Sequence, residues 1–423
     1  MPARYLWTLV TQTGSSGTTE PPEVAAGPPR QSAGPPRQSA GPSIVVLGAG
    51  YAGAAVVTRL QNRLEETTAS LTWVSREPFH FVLHEGHRVI GNLAAVDALT
   101  IPVSDIAGPD TSFVRGTVTG IDTEAALVRL EDGDPVSYDY LAVAIGSDVA
   151  FYGIPGVASN AHTLDSRADA LALARQAARV VDSASPGDPA RVVIGGAGLS
   201  GIQIAGELAD LRDKTDAPVE IQLVEAAHHV LPTEDAALAR VVSERLAARN
   251  ISVTVDHPVR GADEESVAVA GAGDVPYDLF VWTGGIEARR SVADSGLGPV
   301  DDRLQVEPEG STDAGSIFLV GDAAFVDSEG RVPPTAQAAW QAGKATADTV
   351  VRSIRGQPTE PFQYSHRGTL LSVGDTAIAH GIPGVPWRTF DGRPATVLKK
   401  GAAARWIAFV SSPGRAASAW GYL

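Results

Sequence analysis

The sequence contains no cysteine, and this absence excludes more chemistry than any other feature of its composition. Disulfides, cysteine-ligated zinc or iron–sulfur sites and thiol redox catalysis all need a sulfur atom that the chain does not have. The histidines also lack a recognised zinc spacing, so we expect no metal site. Any function that depends on a reactive thiol is therefore excluded.

Basic residues, and lysine in particular, are scarce. The chain of 423 residues has 33 Lys and Arg against 49 Asp and Glu, a formal net charge of −16. Lysine occurs only at Lys214, Lys344, Lys399 and Lys400. Nucleic-acid phosphates are bound by concentrated Lys and Arg, so this composition argues against a nucleic-acid partner.

Long hydrophobic runs are absent as well. No stretch reaches the roughly 18 uninterrupted apolar residues typical of a membrane-spanning helix. Near the amino terminus, "YLWTLV" is too short for the apolar part of a signal peptide. We therefore expect a cytoplasmic protein.

Residues 1–42 have the composition of a disordered, low-complexity tail. The sequence "AGPPRQS" occurs twice in tandem between Ala26 and Ser39. Such a Pro-, Gly-, Ser- and Gln-rich segment cannot bury enough apolar surface to offset the entropy lost on ordering. We predict that the folded part of the chain begins near Ser43.

Two segments repeat one pattern: a buried strand, a glycine-rich turn and a helix. They are "IVVLGAGYAGAAVVTRL" at 44–60 and "VVIGGAGLSGIQIAGEL" at 192–208. In a G-x-G-x-x-G turn the first glycine permits the tight turn, the second lets a pyrophosphate approach the backbone, and the third allows close helix–strand packing. The helix N-terminus then offers free N–H groups to the anion. The glycines are Gly48, Gly50 and Gly53 in the first turn, and Gly196, Gly198 and Gly201 in the second.

Two such turns predict two dinucleotides, FAD at the first and NAD(P)H at the second, with electrons passing between them. The strand of the second unit ends in "LVEAA", where the Glu225 carboxylate can accept both ribose hydroxyls of NADH and repel the 2′-phosphate of NADPH. NADH is therefore the expected donor. In the first unit Ser75 occupies the corresponding place, and Glu77 is an alternative acid two residues later.

The order of buried strands and helices predicts an α/β protein with parallel sheets. We expect two Rossmann-like domains, the NAD domain inserted in the FAD domain, and a small C-terminal α+β region. The predicted boundaries are a tail at 1–42, the FAD-binding domain at 43–155 and 286–357, the NAD-binding domain at 156–285, and the C-terminal domain at 358–423.

From about Ser43 to the carboxy terminus the chain resembles the FAD-dependent two-dinucleotide-domain flavoproteins and, among them, the type II NADH:quinone oxidoreductases. The resemblance implies a respiratory NADH dehydrogenase that passes a hydride from NADH to FAD and two electrons to a membrane quinone, without pumping protons. The missing cysteines exclude disulfide reductases and sulfide:quinone reductases of related fold. The motifs that carry the resemblance are "GAGYAG", "VSREPFHFV", "YDYLAVAIGS", "GGAGLSGIQIAGEL", "LFVWTGGIEA", "IFLVGDAA" and "PPTAQAAWQAGKA".

The same resemblance implies the residues around the cofactors. Asp322 in "FLVGDAA" would bind the ribityl–phosphate part of FAD, and the helix that begins near Thr335 would point its N-terminus at the flavin. The remaining cofactor-binding candidates lie in the turns and strand ends: Tyr51, Ala52, Gly146, Gly284, Gly321 and Ala336.

Three glutamines are the candidate catalytic residues. Gln337 and Gln341 are four apart on one helix face, where the family places its quinone site; a further polar residue common in the family is Ala342 here. Gln203 stands where related sequences carry a proposed proton-shuttling Glu, and an amide cannot titrate. His80, His84 and His87 are alternative proton carriers, and structural hydrogen bonding is the competing interpretation.

The C-terminal segment "ATVLKKGAAARWIAFVSSPGRAASAW" mixes basic and aromatic residues. This pattern favours an amphipathic contact with an anionic membrane surface, on the inner face of the cell membrane, although an ordinary packing helix has similar residues. A homodimer is left open. Two other functions also remain: a reductase of a ferredoxin-like protein carrier and a low-turnover, NADH-responsive redox sensor. The residues named for membrane contact are Lys399, Lys400, Arg405, Trp406, Ile407, Phe409, Arg415 and Trp420.

Overall fold

A computed structural model describes residues 41–64, 68–290, 294–297, 300–306, 316–325 and 332–423 of the chain. The predicted tail lies outside these residues, except for positions 41 and 42. Ser43 is the first residue of the first strand and follows directly after the low-complexity segment.

The strands in chain order are β1 (Ser43–Leu47), β2 (Ser70–Ser75), β3 (Phe79–Phe81), β4 (Thr100–Pro102), β5 (Thr111–Arg115), β6 (Val118–Asp122), β7 (Leu127–Leu130), β8 (Val136–Ser137), β9 (Tyr140–Val143), β10 (Ser147–Val149), β11 (Ala190–Gly195), β12 (Val219–Val224), β13 (Ile251–Thr254), β14 (Val259–Ala262), β15 (Ser266–Val269), β16 (Gly273–Pro276), β17 (Leu279–Trp282), β18 (Ile286–Ala288), β19 (Ile317–Leu319), β20 (Thr369–Val373), β21 (Thr376–His380) and β22 (Thr389–Asp391).

The helices are α1 (Tyr51–Leu64), α2 (Arg88–Gly91), α3 (Ala95–Ala98), α4 (Val157–Asn160), α5 (Arg167–Ser183), α6 (Leu199–Thr215), α7 (Ala236–Ala248), α8 (Asp322–Phe325), α9 (Ala336–Ile354), α10 (Arg393–Val410) and α11 (Pro413–Ala419). Short 3₁₀ turns lie at Leu83–Glu85, Val103–Asp105 and Trp420–Tyr422.

The first sheet has five parallel strands in the order β19-β9-β1-β2-β5. Its central strand β1 is buried along nearly its whole length, as expected for an apolar strand covered on both faces. Helices α1 and α9 lie close together, since a Cβ added at Gly343 of α9 would stand 2.5 Å from the carbonyl oxygen of Ala52. The first glycine turn therefore lies between the sheet and two tightly packed helices.

The second sheet is also parallel, in the order β13-β12-β11-β17. All its strands come between β9 and β19 in the sequence, and those two strands are neighbours in the first sheet. This order is the insertion of one nucleotide-binding unit within another, because the chain completes the second sheet before it returns to the first. The predicted fold class is confirmed.

The C-terminal part consists of the antiparallel sheet β20-β21-β22 and the helices α10 and α11. Helix α10 packs into the core of the first unit, where Trp406 and Ile407 are 2% and 0% exposed. These two residues are therefore core residues and do not face a membrane. Among the helices of the described residues, none combines the length and apolar character needed to cross a membrane.

Candidate active site

The first glycine turn has the geometry of a pyrophosphate cradle. Gly48 has φ +97°, and a Cβ there would stand 2.3 Å from the Ala144 carbonyl oxygen. A Cβ at Gly53 would stand 2.0 Å from the carbonyl oxygen of Gly48, whereas one at Gly50 would meet nothing within 4 Å. The first and third glycines are thus required by the fold, and the second leaves open space beside the helix N-terminus, where an anion can bind.

The second turn repeats this geometry. Gly196 has φ +103°, and a Cβ there would stand 2.7 Å from the Thr283 carbonyl oxygen. A Cβ at Gly201 would stand 2.1 Å from the carbonyl oxygen of Gly196, and the surroundings of Gly198 are open to 4 Å. Both turns therefore fit a dinucleotide in the same way.

Side chains hold the first turn in place. His80 Nδ1 is 2.9 Å from the carbonyl oxygen of Ala49, and Trp73 Nε1 donates to the Gly48 carbonyl oxygen at 2.9 Å. Tyr51 is the first residue of α1, and its ring contacts those of His80 and Trp406 at centroid distances of 4.9 Å each. These contacts therefore fix the backbone of the turn.

Two chain segments meet beside this turn at the ends of β9 and β19. Ser147 Oγ donates to Asp322 Oδ2 at 3.3 Å, and burial raises the pKa of Asp322, with the Ser147 hydrogen bond acting in the opposite direction. Gly146 and Gly321 both have positive φ, +76° and +72°, and a Cβ at Gly321 would stand 2.9 Å from the Ala52 Cβ. A carboxylate accepting from a hydroxyl here fits contact with the polyol chain of FAD.

Helix α9 begins close by at Ala336. Its N-cap is Thr335, whose side chain accepts from the Ala338 N–H at 3.2 Å. This hydrogen bond satisfies one free N–H of the first turn and leaves the positive end of the helix dipole intact. The helix end can therefore stabilise negative charge on a flavin ring.

Glu225 lies directly against the second turn. It is 9% exposed, and its two carboxylate oxygens accept from the Ala197 and Ala227 N–H groups at 2.7 and 2.9 Å. Gly284 follows β17, and a Cβ there would stand 2.3 Å from the Trp282 ring. The acid predicted to select NADH is therefore fixed by the backbone beside the open glycine.

No comparable acid stands at the first turn in the part of the chain that the structure describes. Ser75 ends β2 and is buried, while the half-buried Glu77 lies 3.6 Å from Arg76. The two turns therefore differ at the end of the second strand of each unit, where dinucleotide-binding folds place an acid against the ribose.

Gln337 and Gln341 both bond to one short segment, 364–368. The Gln337 amide accepts from the Arg367 N–H at 2.8 Å and the Tyr364 hydroxyl at 3.2 Å, and its own NH₂ donates to the Gly368 carbonyl oxygen at 3.3 Å. Gln341 accepts from and donates to the Ser365 backbone at 3.0 Å each. These amides hold the segment against α9.

Gln203 is buried in α6 and bonds to a residue that sequence reasoning missed. Its Oε1 accepts from the Ser372 N–H at 3.4 Å and from the Ser372 hydroxyl at 3.3 Å. The same hydroxyl is 3.1 Å from His87 Nε2. A lone serine in a strand carries no sequence signal for this role.

Four charged residues form a buried cluster next to His87, whose Nε2 lies 3.9 Å from Glu85. Lys399 Nζ bonds to both carboxylate oxygens of Glu85 at 2.5 and 2.6 Å, and Glu85 is 0% exposed. Arg88 bonds to Glu207 at 2.5 Å and lies 3.5 Å from Glu85. The sequence pattern places Lys399 at a membrane surface, and this prediction is wrong because the ammonium group is paired inside the protein.

Burial also keeps the neighbouring histidines neutral. It lowers the pKa of His80 and of His84 to about 4 each, and it lowers the pKa of His87 well below the ordinary value. The charges of Lys399 and Arg88 act on His87 in the same direction. In the described ranges, no group of three or more acidic or histidine side chains has the arrangement of a metal site.

The sequence matches known proteins over most of its length. Residues 42–343 match the family described as pyridine nucleotide-disulphide oxidoreductase. The chain is 30% identical over 380 residues to the type II NADH:quinone oxidoreductase of Staphylococcus epidermidis and 29% identical over 378 residues to that of Staphylococcus saprophyticus, covering 84% of this chain and 93% of each relative.

Solved structures show the same fold. The structure of NDH2 from Plasmodium falciparum in complex with NADH aligns with a TM-score of 0.77 at 15% identity, covering 90% of this chain and 97% of that one. The match over most of the sequence, together with two dinucleotide cradles and no cysteine, defines the family. The chain belongs to the pyridine nucleotide-disulphide oxidoreductases and, among them, to the type II NADH:quinone oxidoreductases.

Proposed function

We propose that this protein is an FAD-dependent NADH dehydrogenase that reduces a quinone. The cofactors supply the chemistry: NADH gives a hydride, and FAD accepts it and passes two electrons on. The observation that carries this proposal is the pair of strand–turn–helix cradles in one chain, each with an open second glycine, Gly50 and Gly198. The relatives from two staphylococci carry the corresponding name.

The residues of this chain bind and orient the two dinucleotides. The first turn and the α1 N-terminus hold the pyrophosphate of FAD, Asp322 its polyol, and the α9 N-terminus its ring. The second turn holds the pyrophosphate of NADH, and Glu225 accepts from the adenosine ribose hydroxyls. Since this carboxylate also repels a 2′-phosphate, we expect NADH to be preferred over NADPH.

We place the quinone against the face of α9 that carries Gln337 and Gln341. Both amides are bonded to segment 364–368, so that segment must shift before an amide can donate to a quinone carbonyl. The glutamines then have two roles: they form one wall of the quinone site, and their amides become hydrogen-bond donors when the segment moves. The named roles of Gln203, Gln337 and Gln341 remain predictions.

We further propose that the protein works at the inner face of the membrane, through a small surface patch. Val397 and Trp420 are 58% and 39% exposed, and Lys400 Nζ donates to the Trp420 carbonyl oxygen at 3.3 Å, which joins apolar and basic groups in one patch. Sedimentation with anionic phosphatidylglycerol vesicles tests this. Trp420→Ser should reduce binding severalfold, because it removes an interfacial aromatic group, while Trp387→Ser, at another exposed tryptophan, should not. Equal binding by all forms would contradict the patch.

The enzymatic function is tested by mixing the flavin-loaded protein anaerobically with NADH in a stopped-flow spectrometer, then adding a soluble quinone. We expect NADH to bleach the visible flavin absorbance and the quinone to restore it. Bleaching that only a ferredoxin-like protein reverses would favour a reductase of a protein carrier. Slow bleaching that no acceptor reverses would favour a redox sensor, and no bleaching by NADH would contradict the proposal. Light scattering of the same sample tests the homodimer, the remaining expectation for partners.

A further inference from the structure

The buried charges around Glu85 form a continuous polar path. Glu85 is paired with Lys399, and its Oε1 lies 3.7 Å from His84 Nε2. On its other side, His84 Nδ1 bonds to the hydroxyl of Tyr51, the first residue of α1 in the first glycine turn. We call these four residues the Glu85 chain: Glu85, Lys399, His84 and Tyr51.

Burying these charged side chains costs free energy. Apolar side chains could fill the same space without that cost. Removing an ion from water costs several kcal/mol even after the protein relaxes, and apolar replacements of buried ion pairs are often neutral or stabilising. Glu85 and Lys399 are 0% and 5% exposed, and the sequence has only four lysines in all. A function that needs ionisable groups at this position accounts for the cluster.

One end of the path is near solvent. A cavity of about 340 Å³ opens at the surface, and its wall includes Arg88 and Glu207. Arg88 bonds to Glu207 at 2.5 Å and lies 3.5 Å from Glu85, so it links the cavity wall to the Glu85 chain. Arg88 itself does not titrate. It contacts the carboxylates of both Glu207 and Glu85, and the Glu85–Lys399 pair stores the proton.

The other end of the path is at the cofactor turn. One third of the His84 side chain is exposed, although Glu85 behind it is fully buried. The Tyr51 ring packs against Trp406, whose ring contacts that of Trp340 on α9 at a centroid distance of 5.2 Å. Trp340 lies between the two glutamines that mark the proposed quinone face. The Glu85 chain therefore ends at the FAD turn, and the rings of Trp406 and Trp340 connect that end to the proposed quinone face.

The proposed reaction needs a proton at this place. NADH plus quinone plus one proton gives NAD⁺ plus quinol: the hydride brings two electrons and one proton, and solvent supplies the second proton. We propose that the Glu85 chain delivers this second proton to the quinone oxygen. The inference rests on the proposed function and assigns a proton route within it.

The transfer conserves the protonation state of each relay group. The Tyr51 O–H bond breaks as the new O–H bond forms on the quinone oxygen, and His84 Nδ1–H replaces the lost phenol proton. His84 Nε2 then takes a proton from the Glu85–Lys399 pair, and solvent in the cavity returns a proton to that pair. Neutral His84 suits this role, because one ring nitrogen accepts as the other donates.

The charges that face His84 come from three elements besides its own segment. Burial lowers the pKa of His84, and so does the Lys399 charge, whereas the Glu85 charge raises it. Burial likewise lowers the pKa of Lys399, which makes its proton easier to give up. The titratable and charged groups around His84 are Tyr51 on α1, Arg88 on α2, Lys399 on α10, and His80, Glu85 and His87 along the chain near it.

Stopped-flow kinetics with two small substitutions test the route. Tyr51→Phe removes only the hydroxyl, and His84→Ala removes the relay imidazole. In each variant, reoxidation by a soluble quinone should slow by roughly 10²-fold relative to flavin bleaching by NADH, the usual size of a general acid–base contribution. If wild-type protein is not bleached, or not reoxidised by quinone, the proposed function itself fails. If both variants reoxidise at the wild-type rate at every pH, only the proton route is wrong.

Chemical rescue separates proton delivery from a structural role. Free imidazole should restore at least a substantial part of the reoxidation rate of His84→Ala, with a solvent deuterium isotope effect on that step. The matched control is His380→Gln, which removes another buried histidine bonded to a hydroxyl, that of Thr389, outside the Glu85 chain. It should reoxidise at the wild-type rate. A slow His84→Ala variant that imidazole does not rescue would overturn the proposal.

A second readout needs no turnover. In ¹⁵N-histidine-labelled protein without NADH or quinone, the His84 ring should remain neutral down to about pH 5, since its pKa is about 4. Tyr51→Phe should shift the Nδ1 resonance, because the partner of that nitrogen is lost. The proposed Glu85 chain would be contradicted by a His84 ring that is protonated at neutral pH. It would also be contradicted by an Nδ1 resonance that Tyr51→Phe does not shift.

Discussion

The two glycine turns share a backbone but differ in what surrounds them. Their first glycines have φ +97° and +103°, and Cβ atoms on their third glycines would stand 2.0 and 2.1 Å from a carbonyl oxygen. Around the first turn, rings of Trp73 and His80 bond to the backbone. Around the second, the Thr283 hydroxyl bonds to the carbonyl oxygens of Gly195 and Gly196 at 3.1 and 3.0 Å, and a carboxylate takes the place of Ser75.

This difference matches the two kinds of ligand. A turn enclosed by aromatic rings and by helices α1 and α9 suits a cofactor that stays bound. A turn edged by one carboxylate, Glu225, suits a substrate that binds and leaves at each turnover. In the assignment that we propose, the same local sequence pattern serves both purposes, and the surrounding residues decide which ligand binds.

The largest effects should come from filling the third glycine. In Gly53→Ala or Gly201→Ala the new Cβ would overlap a backbone carbonyl oxygen, which cannot move without opening the turn. We expect Gly53→Ala to lose its flavin during purification, and Gly201→Ala to keep flavin but no longer be bleached by NADH. Flavin content and anaerobic bleaching measure the two losses.

The matched control for these glycines is Gly401→Ala, since a Cβ at that helical position meets nothing within 4 Å. It should keep its flavin and its bleaching rate. Loss of flavin from Gly201→Ala, with flavin retained by Gly53→Ala, would reverse the assignment of the two turns.

A smaller effect is expected from Glu225→Gln. Hydrogen bonds to a charged group contribute about 1.5–3 kcal/mol, so losing the charge should weaken NADH binding by roughly tenfold or more and reduce discrimination against NADPH. Dissociation constants for both nucleotides measure this, with Glu220→Gln on the exposed side of β12 as the control. An unchanged NADH-to-NADPH ratio would show that Glu225 does not contact the ribose.

The smallest expected effect is a loss of folding stability at acid pH. Burial lowers the pKa of His80 from 6.5 to about 4, so the folded state binds fewer protons than the unfolded state in this range. Stability therefore falls as pH falls, by about 2 kcal/mol between roughly pH 7 and pH 5 for this residue alone. The second turn is held by Thr283, which does not titrate.

Urea unfolding at the two pH values tests this difference. His80→Gln should flatten the pH dependence of the free energy of unfolding, and flavin should leave wild-type protein in acid at a higher pH than it leaves the variant. Identical pH profiles for both proteins would mean that His80 is not a buried neutral group.

Residues that act through local contacts could be predicted from the sequence, whereas those that act through contacts distant in the chain could not. The turn glycines follow from spacing and flanking strands, since G-x-G-x-x-G geometry is local. The Gln203–Ser372 bond joins residues 169 positions apart and could not be predicted from either segment. For Gln337 and Gln341 the pattern correctly put both on one face, but their bonds to segment 364–368 depend on how that segment folds back.

Lys399 is the instructive error. Its aromatic and basic neighbours are typical of a membrane-surface helix, and the prediction is based on them. The helical spacing of the apolar residues around Lys399 indicates a buried position instead. Ala395, Ala403, Trp406 and Val410 are all buried at helical spacing, and Lys399 falls on the same stripe. A charge on an apolar stripe indicates a buried partner. That partner, Glu85, lies 314 positions away and was not identifiable from the sequence.

The central claim is that electrons from NADH reach a quinone through one flavin held at the first turn. An anaerobic titration of the flavin-loaded protein tests it most directly. We predict that one equivalent of NADH per flavin bleaches the visible absorbance fully and that one equivalent of soluble quinone then restores it. Bleaching that quinone leaves unreversed, or no bleaching at all, would contradict the account.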